Sequence, residues 1–131
     1  VTVEEKMFSI FQGLAAVTAI VPIERIKGPG DWQNLARPYI VHFPVAVEPI
    51  HTHTEGLMGL KIWRFYQVSI IAASYGLAAT IRDVLIDALD GYHDSDVNRI
   101  AYLGVGMTNF DTDKKIAEMA LNFEVSEGLA A

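Results

Sequence analysis

The chain contains no cysteine, so it has no disulfide framework, no cysteine-based zinc site and no thiol nucleophile. It is short of positive charge, with 10 Lys and Arg against 16 Asp and Glu for a formal net charge of −6. That balance argues against a general binder of the phosphate backbone, whose affinity comes from basic side chains releasing counterions. Long apolar runs are missing too: the most apolar stretches, 14–21 and 68–73, fall well short of the ~20 residues a membrane span requires. Glu4 and Glu5 stand where a secretory signal would carry basic residues, and no uninterrupted apolar segment follows them, so secretion is not expected. The absence of cysteine agrees with a reducing compartment.

Catalytic motifs are equally scarce. No Gly-x-Ser-x-Gly elbow, phosphate-binding Walker loop or His-Glu-x-x-His helix occurs. Gly104-Val105-Gly106 lacks the third glycine and the following helix of a dinucleotide site, and it lies in a strand-like segment. Enzyme activity is not expected, and no cofactor is implied.

What the chain does have is apolar bulk. Its 131 residues are enough for one domain, here taken as residues 1–131, and 51% of them are apolar. Only 20% are charged and the mean hydropathy is +0.26, high for a chain without a membrane span. Some of this apolar surface is therefore expected to be covered by a partner.

Thr2 and Glu5 form a capping-box pattern, and Val3, Met7, Phe8, Ile10, Phe11 and Leu14 follow at helical spacing. Gly13 weakens that helix, residues 15–21 suit a further short helical turn stopped near Pro22, and residues 23–26 suit a short strand. Gly28-Pro29-Gly30 predicts a turn. From Pro38 onward β-branched and aromatic residues predict a strand that lies at a sheet edge or bulges at Pro44, since proline lacks the ladder donor. Residues 51–59 read as a long loop and 60–72 as the best strand of the chain. Ser74 predicts the cap of a second helix, carried by Leu77, Ile81, Val84, Leu85 and Leu89 and stopped at Asp90-Gly91. Residues 97–110 and 116–125 predict a hairpin joined by 111–115, with Ala117, Met119, Leu121, Phe123 and Val125 on the buried face. The expected fold is α+β, a mainly antiparallel sheet of four to five strands with two helices packed on one face.

Four clusters could carry chemistry. His51 and His53, spaced to project the same way from an extended segment, could share a metal with Glu48, Glu55 or His93. No spacing rule fixes the remaining ligands, so a polar loop or partner contact over His51, Thr52, His53, Thr54 and Glu55 is preferred, and a metal- or ligand-binding domain is the alternative. Asp111-Thr112-Asp113 lacks the glycine and distal glutamate of a calcium loop and runs into Lys114 and Lys115, which reads as a hairpin tip. Asp94-Ser95-Asp96 reads as a connector. Lys61 and Arg64 beside Trp63, Phe65 and Tyr66 could suit a single-strand binder, but core aromatics with solvated charges fit the acidic total better.

Several segments, in order, resemble the phage tail-completion proteins, also described as tail terminators or head–tail joining proteins. They are Phe11-Gln12-Gly13-Leu14-Ala15-Ala16, Val21-Pro22-Ile23-Glu24-Arg25-Ile26, Arg37-Pro38-Tyr39-Ile40-Val41 and Glu48-Pro49-Ile50-His51, followed by Tyr66-Gln67-Val68-Ser69-Ile70, Ala88-Leu89-Asp90-Gly91 and the closing run Glu118 to Val125. The chain departs from the family pattern at Gly28-Pro29-Gly30 and at Pro44. The resemblance implies a structural virion protein forming a ring of six copies at the head–tail junction, assembled in the host cytoplasm. Its implied partners are the tail tube protein, the head–tail connector and copies of itself, with DNA passing through without specific binding and no membrane contact. It carries no catalytic residues. The His51–Glu55 loop and the tip formed by Asp111, Asp113, Lys114 and Lys115 are the expected partner contacts.

Overall fold

The computed structural model describes residues 2–28, 36–50, 60–94, 97, 99–111 and 113–127. The loop expected at 51–59 and the turn residues Pro29 and Gly30 lie outside them. Helix α1 spans Val3–Gly13 and starts as the capping pattern requires: the Thr2 hydroxyl accepts the Glu5 backbone N–H at 3.2 Å. Val3, Met7, Ile10 and Phe11 form its buried face, and the Leu14 N–H closes the helix on the Phe11 carbonyl. A one-turn helix α2, Ala15–Thr18, follows.

Residues 23–26 were expected as a strand, and here the structure differs. Pro22 leads into a 3₁₀ turn, Ile23–Arg25, in which the Arg25 N–H donates to the Pro22 carbonyl at 2.8 Å. Only Ile26–Lys27 remains as strand β1, pairing in parallel with the start of strand β2, Tyr39–Ile50. The reason is local: the turn uses up the polar Glu24-Arg25 pair, and only Ile26 is buried.

Strand β2 bulges around Val45, between Pro44 and Val47, as a proline in a strand predicts. It pairs antiparallel with β3, Leu60–Ala72. Helix α3, Tyr75–Leu89, is capped by the Ser74 hydroxyl accepting the Leu77 N–H at 3.2 Å, and buries Ala78, Ile81, Leu85 and Leu89. Gly91, with φ of 82°, ends it, and the Asp90 carboxylate accepts the Tyr102 N–H at 3.0 Å, which ties the helix end to strand β4, Arg99–Asp111. Strand β5, Ile116–Glu127, returns antiparallel to β4.

The sheet order is β1-β2-β3-β5-β4. All pairings but β1–β2 are antiparallel, so the sheet is mixed and carries one short parallel edge. Helices α1 and α3 cover one face, as expected. Under them, register aligns Ile40 with Ile70 and Met119, His42 with Val68 and Leu121, and Pro44 with Tyr66 and Phe123. The five alternating apolar positions expected of β5 are all buried.

A polar pair sits inside this core. His42 is 1% exposed, its Nδ1 shares a 2.5 Å hydrogen bond with the Tyr66 hydroxyl, and the Phe11 ring of α1 lies against the imidazole with centroids 5.0 Å apart. Among the described residues the His42 Nε2 has no hydrogen-bond partner. Burial holds the imidazole pKa down to about 4 from 6.5, and pushes the Tyr66 phenol well above its ordinary range, reinforced by the charge of Glu4.

Two predictions follow from this contact. Phe11→Ala leaves a cavity over His42 and should cost about 3–5 kcal/mol of unfolding free energy in urea titration. The neutral imidazole is favoured in the folded state, so its contribution to stability is intact above pH 6.5 and is lost as pH falls toward 4. The wild type should lose about 3 kcal/mol more than His42→Gln between those limits, by the linkage of 1.36 kcal/mol per pKa unit. Parallel pH profiles for the two proteins would contradict this.

Candidate assembly surface

The tip joining β4 to β5 is built by short-range chemistry. The Asp111 carboxylate accepts the backbone N–H groups of Asp113 and Lys114, both at 3.1 Å, and Lys115 takes a left-handed φ of 53° to turn the chain into β5. Asp111, Asp113, Lys114 and Lys115 are therefore held together on one exposed tip. Sequence reasoning missed the residue that anchors it. Arg37, just before β2, donates from its guanidinium to the carbonyls of Lys114 at 3.3 Å and Lys115 at 2.9 Å, reaching from the far side of β3 and β5. An arginine in front of a proline carries no spacing signal that would have identified this role.

Behind the tip, β4 is an edge strand with an unusual surface. Ala101 to Phe110 is a run of ten residues without a charge. Leu103, Val105, Met107 and Phe110 remain 47%, 42%, 46% and 54% exposed. The strand has register irregularities between Tyr102 and Gly104 and between Val105 and Met107. Gly104 takes a φ of 138°, a backbone conformation that favours glycine at the first irregularity, whereas a Cβ on Gly106 would meet only the movable end of the Asn122 side chain. Edge strands ordinarily carry charge or proline against unwanted pairing, and this stretch has neither.

The sheet face away from the helices holds a second feature, a groove of about 510 Å³. Its floor is small because register aligns Val41, Ser69 and Ala120, all buried, while Tyr39, Ile71 and Phe43 rise beside them and Arg37 and Glu118 stand at its border. A second concavity, of about 420 Å³, opens between α1 and β1–β2 over His42.

The remaining expectations divide. His51, Thr52, His53, Thr54 and Glu55 lie outside the described residues, and His93 is exposed. Among the described residues no group of three or more metal-ligating side chains comes together. The basic-aromatic stretch of β3 is not a stacking platform. Tyr66 is core, the Trp63 indole donates to Glu127 at 2.5 Å, and Arg64 pairs with Glu124 at 3.5 Å, leaving Phe65 as the exposed ring. Asp94 serves its connector, accepting the Val97 N–H at 2.8 Å. No described helix is long and apolar enough to cross a membrane.

Comparison with known proteins yields no matching family model and no matching curated protein. Among solved structures, the chain is similar to one from a structure described as "Virion of native gene transfer agent (GTA) particle", with a TM-score of 0.67 and 16% sequence identity. The alignment covers 92% of this chain and 92% of that chain. At this identity the likeness is one of fold: the chain has the architecture of a gene transfer agent virion component over nearly its whole length.

Proposed function

We propose that this chain is a structural, non-enzymatic virion protein of phage-like particles. In this reading it assembles as a six-copy ring on the end of the tail tube, terminates the tail and joins it to the head connector. The observation that carries the reading is the end-to-end likeness of fold to a gene transfer agent virion chain. The order of segments shared with tail-completion proteins supports the finer role.

The apolar β4 edge supplies what such a role needs. A monomer in water has no use for four large exposed apolar side chains on one edge strand, whereas a subunit in a ring covers them against its neighbour. In a ring each subunit meets two neighbours through two different surfaces, so the patch and its complement lie on different parts of one chain. The net charge of −6, with Asp83, Asp87 and Asp90 exposed along and beyond α3, would keep passing DNA from adhering to the ring.

Purified chain mixed with isolated tail tubes tests the reading. Electron microscopy should show tubes capped by rings, and light scattering should give a six-copy mass for the ring; chain that stays monomeric beside the tubes would overturn it. Val105→Asp combined with Met107→Asp should abolish ring formation while changing unfolding free energy by no more than about 1 kcal/mol, as exposed positions allow.

A further inference from the structure

We infer that the β4–β5 tip of one copy seats in the concavity between α1 and β1–β2 of the next copy. This rests on the ring reading above and names the contact that would close the ring.

Placement is the first argument. The sheet order puts β4 and its tip at one edge and β1 at the other, with α1 lying over the β1–β2 side. Joining opposite edges of successive copies gives the head-to-tail geometry of a ring, whereas a self-complementary patch would give a two-fold dimer.

Charge is the second. The tip exposes one acid and two bases, Asp113, Lys114 and Lys115, because the Asp111 carboxylate is occupied in holding the turn. The concavity is bordered by two acids and one base, Glu4, Glu5 and Lys27. Arg37, bonded to the tip carbonyls, adds a third positive charge beside it, so a net positive tip faces a net negative concavity, and complementarity of sign fixes register and rejects wrong partners. Neither tip lysine pairs with a carboxylate among the described ion pairs, and the tip's internal bonds use only their backbone atoms.

The third argument is the lining. Phe8 and Ile26 give the concavity apolar walls, and Phe110, 54% exposed next to the tip, is the apolar side chain positioned to meet them. His42 also lines the concavity and is buried with its Nε2 unpartnered. That imidazole closes the base of the concavity, so the contact itself is made at the rim, by the charged side chains and by Phe110 against Phe8 and Ile26.

The test uses charge reversal on each side. A tip variant, Lys114→Glu with Lys115→Glu, and a pocket variant, Glu4→Lys with Glu5→Lys, should each fail to form rings on tail tubes under conditions where the wild type does. An equal mixture should restore rings of wild-type mass, because the acidic tip of one variant meets the basic pocket of the other and the unaltered tip meets the unaltered pocket. Circular dichroism and thermal unfolding report whether each variant is folded. Should the pocket variant not fold, Glu4→Gln with Glu5→Gln keeps the helix start uncharged and should raise the concentration needed for assembly about tenfold, equivalent to 1.4 kcal/mol. Rings formed at wild-type yield by either reversed variant alone, or a folded mixture that stays unassembled, would overturn this contact and leave the ring reading standing. A wild type that never assembles on tubes would remove both.

Discussion

The contact on which the rest of the structure depends is the seating of Phe11 on His42 above Tyr66. Tyr66 is among the largest fully buried side chains, and it stands mid-sheet with Pro44 on one side and Phe123 on the other. His42 is one step along β2 on the same face, so α1 can approach the sheet only by covering an imidazole. Burying that ring uncharged is affordable because its Nδ1 is satisfied by the phenol, and the same burial depresses its pKa. Helix α1 is held at its other side by the Lys6 to Glu127 ion pair at 2.6 Å, whose carboxylate also accepts the Trp63 indole. The concavity beside α1 therefore has rigid walls, a sheet on one side and a doubly anchored helix on the other.

Much of this was legible in the sequence, for identifiable reasons. Thr2 with Glu5 and Ser74 with its helical spacing marked both long helices because capping is a local bond between near neighbours. The strict alternation from Ala117 to Val125 marked β5 because one face is buried and the other is not. Pro44 announced its bulge by lacking a donor. The segment at 23–26 was misread because Ile23 and Ile26 look like strand residues, while the turn between them depends on a bond from Arg25 back to Pro22. The parallel pairing of β1 depends on Ile40 and Val41, well along the chain, and no local pattern records it.

The candidate surface was legible only in part. The Asp-x-Asp-Lys-Lys pattern showed a tip, and the apolar excess showed that something must be covered, but not where. That excess is concentrated on β4, where apolar side chains stand on a strand that the helices do not reach along its second half. Arg37 and the acidic border at Glu4 and Glu5 were invisible as a site, since a capping box accounts for Glu5 locally and tertiary folding brings the rest together. Nothing in the sequence singles out His42, because its neighbours from Tyr39 to Phe43 are apolar or aromatic on both faces and give no alternation to mark its side.

The position of β5 has a consequence for how the chain is made. It is the last strand along the sequence, yet it lies between β3 and β4. While β5 is still being synthesised, β3 has no neighbour on one side and β4 has none from which to take its sheet register. During that interval ten uncharged residues of β4 stand ready to pair with any exposed backbone. Nascent chains are therefore exposed to mispairing until β5 is free to insert between β3 and β4, so folding of the sheet waits on the last strand of the chain.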